Sequence, residues 1–262
     1  MNIDTFYTDH WAHIEDERIE RYEQMFVWHD AQRTLLAPAE IAAGHAVLDV
    51  GAGPGFFAGG LASIVGDEGR VDGVDINARF VRDANARHAE ADNVNFHHVE
   101  DHRLPFDENT FDRVVCKNVL EYVPDVGATL AEVHRVLKPG GRVLVIDSDW
   151  GFVIVQPWDK ATVDHFFTAA APAFNEPYIG RKALGFLAAA GLTDVNVRLS
   201  PFVDQSGRGL NVLKNMASYI ATFDTLPADE VQALLGQVET ALAHGQFLFC
   251  LPQFLITADK PG

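Results

Sequence analysis

Asp49-Val50-Gly51-Ala52-Gly53-Pro54-Gly55 is the stretch whose reading decides the fold. It follows the apolar run Ala46-Val47-Leu48, and the residues after it, Phe56 to Val65, read as a helix. A buried strand that runs into a turn and then a helix is the opening unit of an open α/β sheet. Ligands of such sheets bind in the crevice at the carboxyl edges of the strands. Glycines there let the backbone turn tightly and let a ligand approach with no Cβ in the way. The spacing is Gly-x-Gly-x-Gly. A dinucleotide fingerprint asks for Gly or Ala where this chain has Phe56, and the Gly-Lys-Ser/Thr ending of a phosphate-binding loop is absent. Nicotinamide and flavin dinucleotides and nucleoside triphosphates are therefore disfavoured as ligands.

Outward from the turn, strand and helix alternate. Residues 70–75 read as a strand, 77–91 as a helix, 94–99 and 111–117 as strands, and 128–137 as a helix stopped by Lys138-Pro139-Gly140-Gly141. A fifth strand follows over 142–147. This rhythm calls for an α/β fold, a Rossmann-like parallel sheet with helices on both faces. Residues 148–180 carry aromatics (Trp150, Trp158, Phe166, Phe174) but no clear strand. A helix over 180–190, a strand over 195–199, helical stretches over 210–223 and 228–244, and a last strand over 247–257 complete the chain. The expected molecule is a single domain over residues 1–262. It has a helical N-terminal cap (1–44), a cofactor-binding core (45–147) and a completion of the sheet (148–262) with an insertion near 201–245 that covers the site. In the cap, Trp11, Ile14, Ile19, Tyr22, Met25 and Phe26 recur near helical spacing. About seven strands are expected, the last two pairing as an antiparallel hairpin.

Composition narrows the function. The 262 residues are 48% hydrophobic, enough for a core without staples. The net charge is -17, from 37 acidic and 20 basic residues, and such a surface repels phosphate backbones, so no nucleic-acid partner is expected. The two cysteines, Cys116 and Cys250, form no Cys-x-x-Cys pair, which argues against a disulfide scaffold or a cysteine-ligated zinc and fits a reduced, cytoplasmic setting. Met1-Asn2-Ile3-Asp4 does not open a secretory leader, and no apolar run of about 18 residues exists, so no membrane span is expected. His97, His98 and His102 are crowded, yet neighbours on a strand point to opposite faces and no cysteine or carboxylate set surrounds them. No metal is expected.

Asp75 closes the second strand, where a carboxylate accepts the two ribose hydroxyls of a nucleoside ligand; the alternative is a cap on the next helix. Asp101 follows the third strand, placed to accept an adenine amino group while the His102 amide meets a ring nitrogen; the alternative is a solvated loop. Phe6-Tyr7-Thr8-Asp9-His10-Trp11 gathers polar and aromatic groups in the cap. His10 is the candidate general base and Tyr7 the residue that orients an acceptor, with packing as the alternative. Trp11, Tyr122, Trp150, Tyr178 and Asn211 are candidate acceptor contacts, and Trp28 and His29 are read as packing the cap onto the domain.

Four stretches taken together resemble the class I S-adenosylmethionine-dependent methyltransferases, and among them the subgroup with the ubiquinone and menaquinone methyltransferases. They are residues 47–55, residues 71–75, Leu104-Pro105-Phe106 through Phe111-Asp112-Arg113-Val114-Val115, and Glu132-Val133-His134-Arg135-Val136-Leu137-Lys138-Pro139-Gly140-Gly141. The resemblance implies a sheet order of 3-2-1-4-5-7-6 with the seventh strand antiparallel. It implies that Gly51, Ala52, Gly53 and Gly55 pass the methionine part of S-adenosylmethionine and that Asp49 orients its amino end. Asp75 would hold the ribose with Ile76 against the adenine, Asp101 and His102 the adenine edge, and Asn118 would lie beside the methionyl group. Glu121-Tyr122 stands where the family often shows Glu-His. The implied activity is in-line methyl transfer to O, N or C of a small-molecule metabolite or natural product, with S-adenosylhomocysteine as product, by a monomer or homodimer. Such a reaction needs alignment and exclusion of water rather than a metal. The alternative is a protein that binds the same cofactor for cyclisation or regulation. An RNA- or protein-directed enzyme is disfavoured by the acidic balance and the lack of an appended recognition domain.

Overall fold

The computed structural model describes residues 5–12, 14 and 27–262. The strands are β1 (Ala46–Val50), β2 (Arg70–Asp75), β3 (Val94–His98), β4 (Phe111–Lys117), β5 (Leu137–Ser148), β6 (Ile154–Gln156), β7 (Thr193–Ser200), β8 (Val203–Asp204), β9 (Leu248–Cys250) and β10 (Gln253–Asp259). Seven of them form the main sheet in the order β3-β2-β1-β4-β5-β10-β7. β10 runs antiparallel to both β5 and β7, and the other pairings are parallel. Counted within the sheet, β7 is the sixth strand and β10 the seventh, so the order is 3-2-1-4-5-7-6, as expected. The chain between Ser200 and Gln253 separates the last two, so they pair without forming a tight hairpin.

Nine α-helices are described: α1 (Phe6–Ala12), α2 (Arg33–Leu36), α3 (Phe56–Val65), α4 (Ala78–Arg87), α5 (Val126–Val136), α6 (Lys160–Ala170), α7 (Ile179–Ala189), α8 (Arg208–Phe223) and α9 (Ala228–Ala243). The two-residue pleat of the strands sorts side chains onto opposite faces. Leu48, Val114, Cys116, Val143 and Val145 pack under α5 and α7, whereas Val47, Val115, Leu144 and Ile146 pack under α3 and α4. Each such aliphatic side chain contributes about 1.5–3 kcal/mol when fully buried. A third core lies off the sheet, where α6, α8, α9 and the aromatics of residues 150–174 meet Phe6 of α1.

Three expectations are corrected. Lys138-Pro139-Gly140-Gly141 does not separate helix from strand. Leu137 pairs with Phe111 and Arg142 with Arg113, so these four residues bulge out of β5 while the strand continues past them. The last apolar run is split: Pro252, which has no N–H for a ladder, separates β9 from β10. β9 instead joins β6 and β8 in a small sheet of order β6-β9-β8, and β6 lies inside the region read as having no strand. The cap is not helical throughout: α1 is followed, within the described residues, by 3-10 turns at Asp30–Gln32 and Ala37–Ala39 flanking α2, ended by Glu40 at φ 53°. Ile19, Tyr22, Met25 and Phe26 lie outside the described residues.

Candidate active site

The order of the sheet reverses between β1 and β4, the place where an open α/β sheet leaves a crevice. The β1 turn opens into it. The Gly51 and Ala52 amides both donate to the Val74 carbonyl at 2.9 Å, locking the turn to β2. The three glycines then do different work. At Gly51 (φ 72°) a Cβ would run into the Val119 side chain. At Gly55 (φ 83°) it would sit 2.8 Å from Ala84 and Phe96. At Gly53 (φ 52°) it would meet nothing within 4 Å, and this glycine lines the cavity. Gly55 does not line it: it is the N-cap of α3, packed onto α4 and β3. Alanine at any of the three is strained by about 1–2 kcal/mol for the left-handed backbone. Gly51→Ala and Gly55→Ala add overlap and are expected to lose more thermal stability than Gly53→Ala, whose main loss is in ligand affinity. Equal losses of stability and affinity in all three would refute this division.

Asp75 lies beside the turn. Its Oδ2 accepts the Gly53 N–H and its Oδ1 the Asn77 N–H, each at 2.8 Å. The cap of α4 is Asn77, whose side-chain oxygen accepts the Arg79 and Phe80 amides at 3.0 and 3.1 Å. Asp75 therefore organises the turn rather than the helix. Burial raises its pKa against the pull of those backbone bonds. Asp49, 2% exposed, is pushed up to about 8 by burial, opposed by Lys117 and reinforced by Asp75. Its Oδ2 and the Oδ1 of Asn118 are buried without a hydrogen-bond partner among the described residues. Asn118 is held at φ 53° just past β4 while its amide donates to the Ile146 carbonyl at 2.8 Å. Asp49, Asn118, Gly53 and Asp75 all line one cavity of about 1060 Å³, with Ile76, Asp101 and His102 on its wall. Asp101 is exposed and accepts the Arg103 amide at 2.7 Å.

Rings form the far end of the cavity. Trp11 meets Tyr122 edge-on at 5.0 Å, Tyr122 stacks on Phe174 at 5.4 Å, and Phe174 contacts Trp150 at 5.1 Å. Trp11, Tyr122 and Trp150 line the cavity, as do Phe202, Asn215 and Met216 from the insertion. Glu121 sits among them, 3% exposed, and its Oε2 accepts the Trp150 indole N–H at 2.7 Å. Burial, and then Asp147, raise its pKa well above the usual carboxylate range.

Several assignments are corrected by position. His10 is 1% exposed and does not line the cavity; its ring stacks on Phe6 at 5.1 Å and meets Tyr219 edge-on at 5.9 Å. Tyr7 does not line it either, and Thr8 is the polar residue of α1 that does, donating to the Tyr122 carbonyl at 2.8 Å. Tyr178 lies outside, with the Arg181 guanidinium 5.1 Å from its ring. Asn211 is exposed, and Asn215, one turn further along α8, takes the inward place. Trp28 packs on the cap side of α3, 5.7 Å from Phe57, as expected, whereas His29 lines the cavity. His97 bonds Asp72 at 3.0 Å and His98 the Ile76 carbonyl at 3.1 Å, so the histidines do not converge. Sequence reasoning missed Glu121 and Asn215; the signal was an acid in the stretch after β4 and a second asparagine at helical spacing from the first.

Residues 48–145 match the family model described as a methyltransferase domain. Over these residues the chain is similar to a methyltransferase domain. The demethylmenaquinone methyltransferase of Staphylococcus epidermidis is 30% identical to the chain over 161 residues, which are 62% of this chain and 64% of that protein. The match thus spans less than two thirds of that relative's length. The phosphoethanolamine N-methyltransferase 2 of Haemonchus contortus, solved with phosphomonomethylethanolamine and S-adenosylhomocysteine, superposes with a TM-score of 0.66 at 19% identity, covering 100% of this chain and 61% of that one. The 4+2 cyclase SpnF superposes with a TM-score of 0.57 at 22% identity, covering 88% of this chain and 80% of that one. At such identities the likeness is one of fold, and the methyltransferase-domain architecture carries more than one chemistry.

Proposed function

We propose that the chain binds S-adenosylmethionine in this cavity and transfers its methyl group to a small molecule, releasing S-adenosylhomocysteine. The observation that carries the reading is the pair of unpartnered buried acceptors, Asp49 Oδ2 and Asn118 Oδ1, flanking the open approach over Gly53. Buried acceptors without donors are costly, and an ammonium group supplies donors of the right charge. Asp75 keeps acceptor capacity for a ribose diol after its backbone bonds to Gly53, Ile76 and Asn77, since a carboxylate offers about four lone-pair sites. Ile76 supplies an apolar wall for adenine, with Asp101 and His102 at its edge. A volume of about 1060 Å³ exceeds the usual 300–1,000 Å³ of a single-ligand pocket and leaves room for an acceptor beside the cofactor. The cofactor brings a methyl group already activated on a sulfonium. The protein's part is to hold the two partners in line and keep water out, which the ring-lined end does.

Two features support a small-molecule acceptor in a soluble setting. Among the described residues no helix is long and apolar enough to cross a membrane, and the net charge of -17 opposes a nucleic-acid substrate. A cytoplasmic monomer or homodimer is the arrangement we infer. The test is calorimetric titration with S-adenosylmethionine and S-adenosylhomocysteine, followed by an acceptor screen read by S-adenosylhomocysteine release. Micromolar binding of both is expected. Failure of a folded protein to bind either overturns the reading, and turnover of an acceptor without S-adenosylhomocysteine release would favour cyclisation over methyl transfer.

A further inference from the structure

The acceptor end of the cavity is made of rings and aliphatic groups, and its polar exceptions follow a pattern. Asn215, on α8, lines the cavity, and its side-chain oxygen is buried with no hydrogen-bond partner among the described residues. Glu121 also lines the cavity, from the stretch after β4, its carboxyl accepting from the Trp150 indole at 2.7 Å and from the Tyr122 hydroxyl. Those two donors leave a carboxylate with capacity for a third. Each brings an acceptor oxygen. The wall has the same bias: among the described residues the carboxyl side chains of Asp49, Asp75, Glu100, Asp101, Glu121 and Asp125 line the cavity, against the single lysine or arginine Lys117. A buried acceptor with no donor is costly to keep, and an anion brings a further acceptor where a donor is wanted.

Resting on the methyltransferase reading above, we propose that Glu121 and Asn215 are the residues that select the acceptor. They admit a molecule with a planar apolar body that presents a hydrogen-bond donor, a hydroxyl or an amine, and they reject one that carries an anionic group. The rings of Trp11, Tyr122 and Trp150 hold the body, and the two polar side chains read the donor. A site built to bond a donor discriminates strongly against an analogue that lacks it, because its own buried groups are then left unpaired.

The test uses the full chain saturated with S-adenosylhomocysteine and three probes of one shape: 4-phenylphenol, its methyl ether 4-methoxybiphenyl, and 4-phenylbenzoate. The phenol is expected to bind at least tenfold tighter than the ether, with the benzoate weakest. In Asn215→Leu the phenol-to-ether ratio should fall to within about threefold, with S-adenosylhomocysteine affinity and thermal unfolding unchanged. In Glu121→Gln, which keeps one acceptor oxygen but puts a donor NH2 in place of the other, rejection of the benzoate should relax. Equal binding of phenol and ether by the wild-type protein, preference for the benzoate, or no binding of the phenol overturns the inference even if every variant fails to fold. Loss of S-adenosylhomocysteine binding itself would strike the methyltransferase reading instead, so the two failures are separable.

Discussion

Asp75→Ala is expected to weaken S-adenosylmethionine binding by about 1.5–3 kcal/mol, roughly 10- to 150-fold in Kd. Two losses combine. The ribose diol loses a charged acceptor, and the Gly53 and Asn77 amides, each held at 2.8 Å by this carboxylate, lose their partner. Gly53 is the residue over which the ligand passes, so loosening it spreads the damage along the turn. Asn77→Ala separates the effects. It removes the two bonds that cap α4 and the one its Nδ2 donates to the Trp11 carbonyl at 2.9 Å, and should lower stability by about 0.5–2 kcal/mol while leaving the Asp75 carboxylate and its hold on Gly53 in place. Calorimetry for affinity and thermal unfolding for stability, run on both variants, give the comparison. A folded Asp75→Ala protein with wild-type affinity would leave Asp75 with the turn alone and remove the ribose from it.

The turn around Gly53 was legible in sequence because its constraint is local: a strand, three glycines that adopt positive φ and a helix lie in consecutive residues. The sheet order was legible through the family's spaced motifs, and the parallel core through the apolar runs that bury both faces. The acceptor end was not. It is built from α1, the stretch after β4, the segment 148–174 and α8, which are far apart in sequence and meet only in the fold. No periodicity distinguishes a ring that lines a cavity from one that fills a core. His10 shows the consequence. It shares a helix with Thr8 and Trp11, which face the cavity, yet its own direction along α1 points it into Phe6 and Tyr219. Asn211 and Asn215 share a face of α8, but Asn211 stands one turn nearer the start of the helix and is exposed, whereas Asn215 lines the cavity. The small sheet was invisible because its strands are two or three residues long, too short for alternation to register.

Binding of S-adenosylmethionine at pH 7 is expected to release close to one proton, taken from Asp49. Burial pushes this carboxyl up to about 8, so it is mostly protonated in the free protein at pH 7. An ammonium beside it favours the ionised form and draws its pKa down. Affinity should then rise by up to tenfold per pH unit from about pH 6 to 8. Above that the gain ends, because an α-amino group loses its own proton near 8. Lys117, which lowers the Asp49 pKa, and Asp75, which raises it, set where the rise falls. The same proton acts on stability with the opposite sign. Between about pH 4 and 8 the folded protein holds a proton that the unfolded chain has released, so this carboxyl makes the ligand-free protein less stable as pH rises through that window. Asp147, which burial pushes to about 7, adds to the effect. The ligand-induced rise in Tm should therefore be larger at pH 8 than at pH 6. Asp49→Asn should abolish the proton release, flatten the pH dependence and weaken binding tenfold or more at pH 8. Calorimetry at pH 7 in two buffers of different ionisation enthalpy reads the proton directly. A binding enthalpy independent of buffer would mean that Asp49 does not titrate on binding and that the ammonium is held elsewhere.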